Sequence, residues 1–153
     1  MKYAFLIALA LWCVSAGATA ADKPDFSGDW KMNPAKSAYG PIPMPSSFIR
    51  KISHKEPSLV IVEEQTQDGV NQVTKRAVTT DGHAATLDIN GTQATCSATW
   101  DGNAIIANSA VDSYGITFRD RMTLSADGKV LTSEIQVFSS QGDAAMTIVF
   151  DRQ

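Results

Sequence analysis

Residues 94–111, "ATCSATWDGNAIIANSAV", hold two runs of small and apolar residues parted by Asp101-Gly102. In the first run Ala94, Cys96, Ala98 and Trp100 alternate with Thr95, Ser97 and Thr99. A period of two puts the first set on one face of a strand and the second on the other. An Asp-Gly pair suits the two-residue turn between antiparallel neighbours, because both residues can take positive φ. The stretch therefore reads as a β-hairpin with one dry face.

The same punctuation recurs on either side. Asp68-Gly69, Asp81-Gly82, Asn90-Gly91 and Asp127-Gly128 are turn signals, and Tyr114-Gly115 and Gln141-Gly142 are weaker ones. Between them lie runs rich in Val, Ile, Thr, Phe and Ala, predicting strands at 26–33, 47–56, 58–67, 71–79, 83–89, 92–100, 103–113, 116–125, 129–138 and 143–152. No stretch after residue 20 holds a helical period. Phe26, Trp30 and Met32 share parity, as do Ile116, Phe118, Met122 and Leu124, and again Met146, Ile148 and Phe150. A long antiparallel meander with one apolar face and no helices to cover it buries that face most simply by closing on itself. The expected fold is all-β: an antiparallel up-and-down barrel of about 8–10 strands. A two-sheet sandwich would show the same alternation.

The first twenty residues are of another kind. "MKY" carries one positive charge, "AFLIALALWCVSAG" is an apolar run, and Ala18-Thr19-Ala20 offers small residues at a cleavage site. Residues 1–20 are expected to be a signal peptide, with 21–153 forming one barrel domain in a periplasmic or secreted protein. The apolar run is short for a membrane span and no later stretch offers one, so no integral membrane segment is expected in the mature chain. Trp12 stands where a lipid-anchored cysteine at position 13 would need a small neighbour. The formal charge of −3 with dispersed charges gives no footprint for nucleic acid or an anionic membrane surface. Cleavage leaves Cys96 as the one cysteine, buried by its parity, so the expected mature protein is a monomer without a disulfide.

"PAKSAYGPIPMPSS", residues 34–47, interrupts the rhythm. Pro34, Pro41, Pro43 and Pro45 forbid a central strand and disfavour a helix, leaving an extended segment that acts as a cover over one barrel end or as a plain connector.

Gly28-Asp29-Trp30 in the first strand, with Arg152 in the last, resembles the lipocalin and calycin signature. The resemblance implies that Trp30 plugs one end of the barrel while Arg152 packs across its indole, with Gly28 as the third member of the plug. Over most of the chain, "DFSGDWKMNPAKS", "FIRKISHKEPSLVI", "ATWDGNAIIANS" and "FRDRMTLSADGKVLT" are similar to small exported lipocalin-like proteins of bacteria. That similarity implies a fold and a location and names no reaction.

Binding chemistry is sought among polar residues that share parity with the core. Phe48 and Ile52 alternate with Arg50 and His54, and Asp120 lies between Phe118 and Met122. In that register Phe48, Arg50, His54, Phe118 and Asp120 face the interior and form the candidate ligand site. A buried Arg50 then requires a carboxylate such as Asp120 or an anionic ligand group. In the opposite register Ile49 faces inward, and Arg50 and His54 lie in solvent. Two histidines after residue 20, without paired cysteines or a His-Glu-x-x-His spacing, support neither a metal site nor a cofactor. His83, next to the Asp81-Gly82 turn, is expected in solvent. Glu63 and Glu64 have opposite parity and cannot face one substrate together. Asn90-Gly91-Thr92 matches a glycosylation acceptor, but a turn explains it.

The expected function is binding of a small, largely apolar or amphiphilic molecule, with an acidic head group in one version. The alternatives are a cavity isomerase, cyclase or hydratase using His54 or Asp120 for proton transfer, and a periplasmic inhibitor that presents the proline-rich loop to a partner.

Overall fold

The computed structural model describes residues 22–153; the expected signal peptide lies outside the described residues. Ten antiparallel strands follow one another: β1 Gly28–Met32, β2 Ser47–Lys55, β3 Ser58–Gln67, β4 Val70–Thr79, β5 Ala85–Ile89, β6 Thr92–Asp101, β7 Ala104–Val111, β8 Ile116–Leu124, β9 Val130–Ser139 and β10 Ala144–Arg152. The one helical element among the described residues is a 3-10 turn, Asp112–Tyr114. Each Asx-Gly signal outside the β4–β5 connection sits in a tight turn between neighbouring strands, and Asp68 and Asn90 take positive φ there.

The sheet order is β4-β3-β2-β1-β10-β9-β8-β7-β6-β5, so the first strand pairs with the last and the meander curls into a barrel. Closure is incomplete. β4 and β5 share no ladder, and a seam separates them; beyond the end of β4 the chain is tied to β6 by the Asp81–Thr99 bridge.

One end of the barrel is filled. Trp30 is fully buried and its indole N–H donates to the Phe26 carbonyl at 3.1 Å. The Arg152 guanidinium lies 4.2 Å from the indole centroid and donates to the carbonyls of Ser27 and Gly128 at 2.7 and 2.8 Å. Gly28 has φ +142°, and a Cβ there would stand 2.5 Å from Arg152 Nη1, so the stack needs glycine at this position. Ile52, Leu59, Ile61, Ile105, Met122, Leu131 and Phe150 pack above the plug. Cys96 is buried, as its parity predicts.

β1 is shorter than expected because Phe26 and Ser27 bind His54 instead of extending the ladder: the Phe26 N–H donates to His54 Nδ1, and the Ser27 hydroxyl to the His54 carbonyl. At its other end β1 stops at Met32, and the proline-rich segment takes its place along β10. Ala38 and Thr147 exchange two backbone hydrogen bonds of 2.8 Å. Gly40, with φ +56°, then passes so close to the Ala145 carbonyl that a Cβ would stand 2.8 Å from it. From there the segment crosses the open end of the barrel.

Candidate functional site

Beneath that crossing lies a cavity of about 830 Å³. Tyr39, Ile42, Pro43 and Pro45 of the proline-rich segment line its mouth, so the segment is a cover and not only a connector. The turns after β3, β5 and β7 complete the rim. Tyr39 is buried with its hydroxyl 3.3 Å from Met32 Sδ, and this burial pushes its ionisation up to about 12.

The floor of the cavity is ionic, and the strands change character at one level to make it. Moving toward the open end, the inward positions pass from Ile52 to Arg50 on β2, Ile61 to Glu63 on β3, Met122 to Asp120 on β8 and Leu131 to Ser133 on β9. On β4, Val78 gives way to Arg76. Arg50, 1 % exposed, spans the interior. Its Nε and Nη2 meet Glu63 Oε1 at 2.9 and 2.7 Å, and its Nη1 donates to Ser133 Oγ at 2.7 Å. Ser133 in turn donates to Asp120 Oδ1 at 2.5 Å. Arg76 Nη2 holds the other oxygen of Glu63 at 2.9 Å. The rings of Phe48 and Phe150 flank the Arg50 guanidinium, with centroids 5.6 and 4.9 Å away.

Three buried charges and the partly exposed Arg76 would be costly alone in low dielectric, but two cations and two carboxylates cancel here. Burial works against the charge on Arg50, yet Asp120 and Glu63 more than offset it and raise its pKa above the usual arginine value. Burial also pushes Glu63 up, and Arg76 and Arg50 outweigh that to hold its carboxyl below the usual range. One carboxylate oxygen is left over. Asp120 Oδ2 lies 3.1 Å from Arg50 Nη2, but it accepts no well-aligned hydrogen bond, so this contact is Coulombic only.

Of the residues singled out in the sequence, Phe48, Arg50, Phe118 and Asp120 lie on the cavity wall. The register that turns Arg50 inward is the one adopted. His54 also turns inward, but at the filled end, away from the cavity. Its ring packs 6.1 Å from Phe26 and 5.7 Å from Trp100, and Nε2 pairs with Glu56 Oε1 at 2.9 Å. Parity gave its direction and left its depth open. His83 lies in solvent beside Asp81.

Glu63, Arg76 and Ser133 were not anticipated. Counting back from the Glu56-Pro57 turn pairs Arg50 with Glu63, so the first was within reach of the sequence. Ser133 sits diagonally from Asp120 across the β8–β9 ladder and carried no comparable signal. Among the described residues no cluster of His, Cys, Asp and Glu could hold a metal, and no helix is long and apolar enough to cross a membrane.

Neither a family model nor a curated protein sequence matches the chain. Solved structures do. A secretory abundant heat soluble protein of Ramazzottius varieornatus superposes with a TM-score of 0.63 at 15% identity, covering 84% of this chain and 95% of that one. Fatty-acid-binding protein 1 of Echinococcus granulosus gives 0.59 at 12% identity, over 83% and 96% of the two chains. The zebrafish ileal bile acid-binding protein complexed with cholic acid gives 0.57 at 12% identity, over 84% and 98%. At such identities the likeness is one of fold, and the fold of this chain is a ten-stranded, nearly closed barrel of the lipocalin-like, fatty-acid-binding-protein type.

Proposed function

We propose that the chain is an exported, monomeric carrier that holds a small, largely apolar molecule between the ionic floor and the proline-rich cover. The cavity carries this reading: about 830 Å³ with an extensive apolar lining and a few convergent polar groups is a typical small-molecule site. Proteins of the same fold include one named for fatty acids and one complexed with cholic acid. The signal-peptide pattern and the resemblance to exported bacterial barrels support a periplasmic or secreted location.

An acidic head group has one place to go. Arg50 is enclosed by Glu63, Asp120 and Ser133. Arg76 retains 15 % side-chain exposure and lines the cavity, so a carboxylate is directed there. The enzyme alternative needs His54 or Asp120 free against the cavity contents; His54 is walled off at the filled end, and Asp120, though on the cavity wall, is buried with Oδ1 held by Ser133 and Oδ2 against the Arg50 guanidinium.

Delipidated protein titrated with palmitate and methyl palmitate tests the reading. Wild type is expected to bind both, and Arg76→Gln to weaken palmitate alone, by roughly ten- to a hundredfold for the loss of a charge-assisted hydrogen bond. Equal palmitate affinity in the two proteins would remove the head group from Arg76. Failure of wild type to bind either compound, with no small molecule retained in native mass spectrometry of protein from its own host, would overturn the carrier.

A further inference from the structure

The two sides of the cavity differ in kind. On β3 and β4 every residue that lines the space, from the floor to the mouth, is polar: Arg76, Glu63, Thr74, Gln65, Gln72 and Gln67. Glu63 faces Thr74 across the ladder and Gln65 faces Gln72, so these side chains form a continuous strip beside the seam. Facing them across the barrel, above the floor residue Asp120, β8, β9 and β10 present Ile116, Phe118, Ile135, Met146 and Ile148.

Within the strip, Thr74 donates to Glu63 and Arg76 is paired with Glu63. The amides of Gln65, Gln67 and Gln72 make no hydrogen bond to the protein among the described residues. A hydrocarbon chain with one polar end would meet a single part of this strip and cover the remainder with methylenes. The amides would then lose water without gaining partners, which is unfavourable for each donor and acceptor so covered. Because the four floor charges cancel, the strip as a whole offers hydrogen bonding more than net charge.

We infer that the ligand is facially amphipathic: a rigid, mostly hydrocarbon frame with hydroxyl or similar groups along one long edge, set against β3 and β4, and a bare face against β8 to β10. This rests on the carrier reading and narrows its ligand class.

Charge-matched probes on one skeleton test it. Cholate bears three hydroxyls on one face, 5β-cholanate bears none, and palmitate is a chain with a single head. Calorimetry below micellar concentrations should give wild type a preference for cholate over cholanate of roughly tenfold or more, about what one or two net hydrogen bonds supply. In Gln65→Leu/Gln72→Leu, with wild-type thermal melting as the check on folding, that ratio should fall to about one. Cholanate and palmitate binding with no preference for cholate in wild type would overturn the two-faced ligand and leave the carrier standing. A preference unchanged in the double variant would also overturn it. Binding of none of the three would overturn the two-faced ligand, and with no small molecule retained in native mass spectrometry it would overturn the carrier as well.

Discussion

The filled end and the cavity end of this barrel are built from the same strands with the same alternation, yet they solve opposite problems. At the filled end the inward residues are large and apolar, Trp30 closes the bottom, and the polar atoms of the plug are satisfied by nearby carbonyls. One inward position further along β2, β3 and β8, charged residues replace apolar ones and space opens above them. Apolar packing is non-directional, so neighbours can partly collapse into a gap. The ionic floor is directional: Arg50, Glu63, Asp120 and Ser133 must all be present for any of them to be tolerated in the interior. It therefore prevents the apolar core from continuing upward and filling the cavity.

Variants at each end should fail differently. Trp30→Ala is expected to lose the most, about 3–5 kcal/mol for a fully buried large aromatic, at every pH where the protein folds. Denaturant titration measures this, and near wild-type stability would remove the tryptophan from the plug. Arg50→Gln should lose about 3 kcal/mol at neutral pH, because it leaves Asp120 without a cation and Glu63 with one. Its deficit should shrink in acid. The folded pKa of Glu63 lies below the ordinary glutamate value, so its contribution in wild type is complete above about pH 4.3 and is lost as the pH falls through the lower folded value. The variant has less of this contribution to lose. Denaturant titrations of both proteins from pH 7 to 3 should converge, and parallel curves would mean that the floor is not held by charge. Arg152→Ala should cost least, about 1 kcal/mol, since the guanidinium reaches the indole from an exposed side chain. A loss as large as that of Trp30→Ala would show that the filled end, too, depends on a cation.

Much of the fold was legible because its signals are local. Asx-Gly pairs fix turns, and alternation fixes faces, so ten strands were recovered with their ends shifted by a few residues. The shifts have causes outside the strands: Phe26 and Ser27 bind His54, and Asp112–Tyr114 turns into a 3-10 helix before β8. The seam was not legible, since nothing in the composition of β4 or β5 forbids a ladder between them. The site was half legible. Parity turned Arg50 and Asp120 inward, and hairpin counting could have added Glu63. His54 was given a place at the site because parity repeats identically along a strand, whereas depth is set by which end is plugged. Ser133 depends on the curvature that brings β9 and β2 to opposite sides of one floor.

The pairing of β1 with β10 has a further consequence, for the kinetics of assembly. Among the described strands, every other ladder joins sequence neighbours, and the β4–β5 seam divides them into two meanders, β1 to β4 and β5 to β10. Apart from the proline-rich connection between β1 and β2, each meander can zip through short loops, which is the fast part of β-sheet formation. One ladder of three residue pairs, Trp30 with Arg152, Lys31 with Asp151 and Met32 with Phe150, joins the two, and outside the strands the Ala38–Thr147 and Asp81–Thr99 bridges assist it. The entropy of closing the longest loop in the sheet therefore falls on one short ladder and two bridges. The indole that seals the barrel thus also sits on the ladder where the two halves of the chain meet.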